Sequence, residues 1–598
     1  MEIQKYNLQQ PPIGNLLAWI DAKEIAIPEI QRPFVWDSTK VRNLLDSIYK
    51  GFPIGYIITW RNPNVRLKDG STSEGKKVLI DGQQRITALT AALKGQEVIT
   101  KEFKKVRIKI AFNPIEERFE VLTPVIDREP KWISDISVLF TGSISRYAFI
   151  NDYLTKNQPE NPDEVAANID KLAGLVSMNI GMIDLAPDLD IETVTEIFIR
   201  INSAGVELSQ ADFAMSKIAA SEEYGGQVLR KAIDYFSHLA IAPEFYPFIK
   251  ENDKEFTHTD YFRKMEWLRT ENEDLYDPNY TDVLRVAFTK EFQRGKLSDL
   301  VALLSGRNFE TRSFEAEIAE NSFGKLKKGV MDFMNETSFK RFLMSIRSAG
   351  FVTASMIRSQ NAVNFAYIVY LTLKEQGEKP EKIEHLVRRW YVMSVLTGRY
   401  SSSPESQFDL DIRRIGESSV QERLHDIEAG ELSNAFWEAS LIQSMNTSVS
   451  SNPIFKVYLA AQVKAGDKGF LSRDITVQDL LLFRGDVHHV FPSNYLKKEG
   501  MQRGKYNQIG NYVYMQQDIN IQVSNRNPSV YFNEVRNQCL TGVTKYGGIK
   551  SESELMENLR QNCIPVSVFE MDASNFDEFL VERRSLMAKK IKGYYEGL

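Results

Sequence analysis

At 598 residues the chain is too long for one hydrophobic core, so about two to four domains are expected. Its hydrophobic fraction of 43% and charged fraction of 26% exclude a disordered chain. A net charge of −6 counts mildly against a nucleic-acid-binding protein, but it leaves room for a local basic stripe.

Hydropathy and cysteine content indicate where the protein works. No apolar run approaches the ~18 residues of a membrane helix, and the first ten residues are polar. Cys539 and Cys563 are too few for a disulfide framework or a four-cysteine zinc site. We therefore expect a cytoplasmic protein with no membrane partner.

The N-terminal third predicts an α+β domain over residues 1–215. Ile54 to Trp60 and Val78 to Ile80 favour strands, and Val106 to Phe112 alternates as a strand does. Ile86 to Leu93 has apolar residues at helical spacing.

A turn connects the second of these strands to the predicted helix. It reads Asp81-Gly82-Gln83-Gln84-Arg85. Backbone N–H groups at a helix start attract anions, glycine permits close approach, and arginine can bind a phosphate through two N–H groups. Asp81 could act as a base or bind a metal. These residues predict an anion site, although an Asp-Gly pair alone is commonly only a turn.

Two further regions follow. Residues 216–450 predict a mainly helical domain, with Val363 to Leu373 and Ile383 to Leu396 as amphipathic stretches. Residues 451–598 predict a smaller mixed domain, in which Tyr512 to Met515 is strand-like.

Two adjacent histidines, His488 and His489, stand out in this last region. Side chains of neighbouring strand residues point to opposite faces, so one imidazole can bind a metal while the other faces a substrate. No cysteine or further histidine is nearby, which favours an open site of nitrogen and oxygen ligands for Mg²⁺ or Mn²⁺. Neutral histidine is a suitable base near pH 7.

The order His-His, then Asn511, then Asn520 resembles the HNH (ββα-metal) motif, and most closely the C-terminal nuclease domain of the GmrSD-type restriction enzymes. The resemblance implies that His489 is the general base and that Asn511 orients it. It implies His488 and Asn520 as metal ligands, with Asp486 as a ligand or supporting group. Asn525 competes with Asn520, because the sequence does not fix the helix register. Four basic residues between the two strands are candidates for DNA phosphate contacts or for an ordinary solvated face: Lys497, Lys498, Arg503 and Lys505.

The N-terminal motifs also resemble the GmrSD family. The Asp-Gly-Gln-Gln-Arg sequence is similar to the hallmark of its ParB/sulfiredoxin-like domain, and two further blocks match, Ile30 to Trp36 and Phe198 to Gly205. The resemblance implies binding and hydrolysis of a nucleoside triphosphate. The primary residues are Asp81, Gly82, Gln83, Gln84 and Arg85, and the secondary ones are Gln31, Arg32, Arg200 and Asn202. No Walker P-loop is present.

The sequence thus predicts a multidomain α+β protein with a ParB/sulfiredoxin-like domain, a helical middle and a C-terminal HNH domain. The predicted function is a nucleotide-regulated, metal-dependent DNA endonuclease of anti-phage defence that senses a DNA modification, as SspE- and BrxU-like proteins of similar layout do. One cutting site per chain favours a homodimer, because a double-strand break needs two cuts. Two alternatives stay open: a nucleotide-regulated DNA-binding or signalling protein with an inactive nuclease, and an RNase toxin.

Overall fold

A computed structural model describes residues 5–22, 24–26, 36–61, 77–99, 105–142, 144–187, 189, 197, 210–271, 275–483 and 485–598. The chain divides into two compact units, Met1–Ala220 and Ser221–Leu598. The predicted boundary near residue 450 therefore falls inside the second unit. Among the described residues, no helix has the length and hydropathy needed to cross a bilayer.

The first unit is built around a mixed five-stranded sheet. Its strands, in spatial order, are β1 (Tyr6–Gln9), β9 (Gly181–Leu185), β3 (Tyr56–Arg61), β4 (Lys77–Asp81) and β2 (Ile25–Ala26). β3 runs parallel to β9 and antiparallel to β4, with a bulge after Ile58. Two hairpins lie outside the sheet: β5 (Glu97–Ile99) with β6 (Lys105–Arg107), and β7 (Ile110–Asn113) with β8 (Arg118–Val121).

The strand predicted from Val106 to Phe112 is wrong as one element. The chain leaves the ladder after Arg107, and β6 and β7 belong to different hairpins. The alternation of apolar residues is real, because Ile108, Ile110 and Phe112 are all buried. Ile108 lies between the two strands and Ile110 and Phe112 lie in β7, whereas Val106 of β6 is exposed.

Six α-helices are described in the first unit, and the first five share one core with the sheet residues Ile57, Leu79 and Met182. They are α1 (Ile13–Asp21), α2 (Ser38–Tyr49), α3 (Gln83–Lys94), α4 (Arg146–Asn157), α5 (Pro162–Ala173) and α6 (Gln210–Ala220). α2 begins because the Asp37 carboxylate accepts the Lys40 N–H at 2.8 Å, and its buried stripe includes Val41, Leu44 and Ile48. The predicted helix Ile86 to Leu93 is confirmed as part of α3, which starts directly after Gly82.

The second unit begins with a set of packed helices. They are α7 (Gly226–Ile241), α8 (Tyr246–Asn252), α9 (Lys254–Thr257), α10 (Asp260–Lys264), α11 (Tyr280–Phe292), α12 (Leu297–Leu304), α13 (Ala316–Phe333), α14 (Glu336–Ser348), α15 (Gln360–Glu375), α16 (Pro380–Thr397), α17 (Pro404–Glu417), α18 (Val420–Glu431) and α19 (Leu441–Ser444). The two amphipathic stretches predicted here are confirmed as α15 and α16, which pack against each other.

The C-terminal part of this unit surrounds one short hairpin. Strands β10 (Asp486–His489) and β11 (Tyr512–Met515) pair antiparallel. The helices are α20 (Pro453–Ala465), α21 (Val477–Leu482), α22 (Ser493–Lys498), α23 (Arg503–Tyr506), α24 (Gln517–Val523), α25 (Pro528–Thr541), α26 (Glu552–Gln561) and α27 (Phe576–Glu596). The core beneath the hairpin includes Val490, Phe491, Val513, Ile519 and Phe579.

α27 joins the two parts of the second unit. Phe576 and Phe579 near its start lie in the core beneath the hairpin. Near its end, the Tyr595 hydroxyl donates to Glu428 of α18 at 2.5 Å, and Arg389 of α16 donates to the same carboxylate at 2.7 Å. This shared helix explains why the predicted middle and C-terminal regions form one unit.

Candidate nuclease and nucleotide sites

The hairpin holds the two neighbouring histidines in one strand. His488 is paired with Val513 and His489 with Tyr512. Both side chains are partly exposed, so neither is sealed in a dry interior.

His489 is held by an amide that the sequence reasoning missed. Its Nε2 lies 2.9 Å from the amide oxygen of Asn507. An amide oxygen only accepts hydrogen bonds, so Nε2 carries the proton and Nδ1 keeps its lone pair. The Tyr512 ring stands edge-on to the imidazole at 5.3 Å, and the Tyr506 ring lies at 6.4 Å. These contacts define the orientation of the ring.

The environment of His489 favours the neutral imidazole. Burial lowers its pKa below the usual 6.5, because a charged ring would lose hydration, and the hydrogen bond to Asn507 opposes this only in part. A neutral ring with a free lone pair on Nδ1 is the form that can accept a proton.

The hydrogen bonds of the Asn511 amide go to backbone groups and not to the imidazole, and its role in orienting the base stays a prediction. This fully buried amide accepts the Phe491 N–H at 2.8 Å and donates to the carbonyls of Phe491 at 3.0 Å and Tyr506 at 3.1 Å. It thereby joins the chain after β10 to the segment that carries Asn507. Asn511 thus supports the backbone two residues after His489 and the backbone next to Asn507.

The candidate metal ligands belong to β10 and to the helix that follows β11. Asn520 is a partly buried residue within α24, which begins two residues after β11, whereas Asn525 is exposed in the turn beyond that helix. This register favours Asn520 over Asn525. Asp486 is the first residue of β10, and its side chain lies outside the described part of the molecule.

The donor set suits a weakly held hard cation. Within the described ranges, no group of three or more His, Cys, Asp or Glu side chains converges as a metal cage would. One imidazole and one amide oxygen would leave most coordination positions to water and to substrate phosphate, as Mg²⁺ sites commonly do. A cation held by these two donors would therefore be an openly coordinated Mg²⁺ or Mn²⁺ and not a closed zinc ion.

Basic side chains lie between the two strands. Lys497, Lys498 and Arg503 are exposed and have no ion-pair partner among the described residues, whereas Lys505 pairs with Asp577 at 2.9 Å. The charge of Arg503 reaches the phenol of Tyr512: burial raises the pKa of that phenol and Arg503 opposes the rise. Positive charge is thus available beside the ring that contacts His489.

The predicted anion site of the first unit lies where β4 meets α3. Gly82 caps the helix at φ +95°, and a Cβ there would lie 2.4 Å from Cδ1 of Ile57, so the turn requires glycine. Having no side chain, Gly82 cannot accept from the first-turn amides. Asp81, Gln83 and Gln84 are partly exposed around this helix start.

Arg85 is fixed across the same turn. Its Nη1 donates to the Tyr56 carbonyl at 2.7 Å and lies 3.8 Å from the Asp81 carboxylate. The guanidinium also lies against Gly55, where a Cβ would stand 3.1 Å from Nη2. The structure therefore brings Asp81 and Arg85 together. The secondary candidates Gln31, Arg32, Arg200 and Asn202 lie outside the described residues.

Comparison with known proteins bears on the first unit most directly. An uncharacterized protein of Methanocaldococcus jannaschii is 20% identical over 95% of this chain and 96% of its own length. Residues 13–219, which include the Asp81–Arg85 turn, match the family described as GmrSD restriction endonuclease, N-terminal domain. The match supports a relationship of this chain to the GmrSD-type restriction enzymes.

Proposed function

We propose that this protein is a nucleotide-regulated, metal-dependent DNA endonuclease of the HNH type that acts in anti-phage defence. The observation that carries the proposal is the His489–Asn507 contact of 2.9 Å on an antiparallel hairpin followed by a helix. It supplies an oriented, neutral base at a partly exposed position. The similarity of residues 13–219 to a restriction-enzyme domain suggests DNA as the substrate.

His489 is the proposed general base. Nδ1 takes a proton from water, the resulting oxygen forms a bond to phosphorus, and the bond from phosphorus to the leaving nucleoside oxygen breaks. Solvent returns a proton to that leaving oxygen. Asn507 keeps the proton of the resting ring on Nε2 and so directs the lone pair of Nδ1 to the water.

His488, Asn520 and Asp486 are the proposed holders of Mg²⁺ or Mn²⁺. The bound cation would neutralise charge on the scissile phosphate. Lys497, Lys498 and Arg503 would hold neighbouring backbone phosphates.

The Asp81–Arg85 turn is the proposed nucleotide site of a ParB/sulfiredoxin-like domain. Arg85, already fixed by Tyr56, and the helix start after Gly82 would bind phosphate groups. Asp81 would assist hydrolysis. Coupling nucleotide turnover and the sensing of a DNA modification to cutting would protect host DNA, and a homodimer would allow both strands to be cut.

The test is a cleavage assay with the purified full-length chain. Phage DNAs with plain and modified bases, and a structured RNA, are incubated with Mg²⁺ or Mn²⁺, with and without ATP or GTP. We expect DNA cleavage that requires the metal, stops in EDTA and changes in rate with nucleotide. Binding of DNA without cleavage would indicate a regulatory DNA-binding protein, and cleavage of RNA alone would indicate an RNase toxin. Either result would overturn the proposal.

A further inference from the structure

Arg583, in the middle of α27, is a fully buried cation. Its Nη1 donates to the carbonyl oxygen of Gly510 at 2.9 Å, and its Nη2 donates to those of Tyr512 at 2.7 Å and Asn562 at 3.3 Å. Among the described residues, no carboxylate lies within ion-pair distance of this guanidinium. Burying a charge in this way costs several kcal/mol, so backbone carbonyls at good geometry must compensate for the lost hydration.

Gly510 and Tyr512, whose carbonyls accept from Arg583, are the residues on either side of Asn511. Asn511 in turn holds Phe491, two residues after His489, and Tyr506, one residue before Asn507. Tyr512 is the ladder partner of His489 and the closer of its two aromatic neighbours. The Tyr512 ring belongs to the segment that Arg583 holds, and Asn511 of that segment holds the backbone next to Asn507.

Close packing of α27 supports the same segment. A Cβ added at Gly510 would lie 3.0 Å from Cδ2 of Leu580 and 3.4 Å from Cγ of Arg584. The backbone at Gly510 thus lies directly on the helix. Glycine at this position lets the Arg583 guanidinium reach the carbonyls of Gly510 and Tyr512. The planar guanidinium carries N–H donors on two nitrogens and can bind both carbonyls, whereas the single ammonium group of a lysine does not match this geometry.

We infer that Arg583 is a positioning residue for the proposed nuclease reaction, which holds the Gly510–Tyr512 turn so that His489 and Asn507 keep their relative orientation. The inference rests on the proposed function for its catalytic consequence. Its structural part, that Arg583 fixes the hairpin, can be tested without any activity. Arg583 is fully buried beneath this turn and is therefore not itself a catalytic residue.

The experiment compares Arg583→Lys and Arg583→Met with Tyr594→Phe in the full chain. Tyr594 lies on the same helix, and its hydroxyl donates to the Ala349 carbonyl, away from the hairpin. We measure kcat and KM on DNA well below each variant's Tm, and hydrogen exchange of residues 486–515 by mass spectrometry. If Arg583→Met fails to fold, the test uses Arg583→Lys, which keeps the positive charge.

For Arg583→Lys we expect kcat to fall about 10- to 100-fold, the effect of a displacement of about 1 Å, with KM for DNA within about two-fold. Exchange of residues 486–515 should accelerate, whereas Tyr594→Phe should change neither kcat nor this exchange. Wild-type kcat and wild-type exchange in Arg583→Lys would overturn the inference. Absence of cleavage by the wild type would instead refute the proposed function, and the exchange data would still decide whether Arg583 holds the hairpin.

Discussion

Removing the amide of Asn507 tests the orientation of His489 most specifically. Asn507→Ala deletes one hydrogen bond of 2.9 Å to the imidazole and leaves the backbone contacts of Asn511 in place. A hydrogen bond of this kind contributes about 1 kcal/mol, so the smallest expected loss in kcat is about five-fold. The largest is about 100-fold, because a disoriented ring forfeits much of what a general base supplies.

The assay is single-turnover cleavage of labelled DNA with saturating Mn²⁺, which separates chemistry from binding. The matched control is Gln508→Ala, which removes the amide of the next residue. The Gln508 amide donates to the Gly504 carbonyl and not to His489. We expect the Asn507 variant to lose rate with unchanged DNA affinity and the Gln508 variant to cut normally. Equal rates in wild type and Asn507→Ala, or equal losses in both variants, would refute the reasoning.

Two further predictions concern the nucleotide site and the DNA surface. Gly82→Ala should weaken the binding of ATP or GTP measured by calorimetry, because the added Cβ would meet Ile57. The control is Gly142→Ala, at φ +69° with no atom within 4 Å of the added Cβ, which should cost only about 1 kcal/mol of stability. Indistinguishable nucleotide affinities for the two variants would contradict the site assignment. Replacing Lys498 and Arg503 together by Gln should reduce the slope of log Kd for DNA against log salt by about 0.9 per lost phosphate contact. An unchanged slope would show that these side chains do not touch DNA.

Local patterns predicted local structure well. The strand, glycine turn and helix around Asp81 and Gly82 are confirmed because each depends on nearest neighbours in the chain: an apolar run, a residue that tolerates positive φ, and a helical apolar spacing. The long helices α15 and α16 are confirmed for the same reason. The nucleotide function of that turn stays a prediction.

Contacts between distant residues could not be read in this way. Asn507 lies 18 residues from His489, and no motif in the sequence marked it. Asn511 was the more conspicuous candidate in the motif, yet its amide serves the backbone. The bonds from Arg583 to Gly510 and Tyr512 span more than seventy residues, with separations of 73 and 71, and no periodic pattern marks them. The same long-range packing of α27 connects the regions before and after residue 450.

The most direct test of the proposed nuclease is plasmid cleavage by His489→Ala beside a His425→Ala control. His425 is exposed on α18 and belongs to no part of the site. With Mn²⁺ present, we predict that His489→Ala loses about 10²- to 10⁴-fold in rate while His425→Ala cuts as the wild type does. Wild-type cleavage by His489→Ala would contradict the assignment of the base, and with it the central claim for this hairpin.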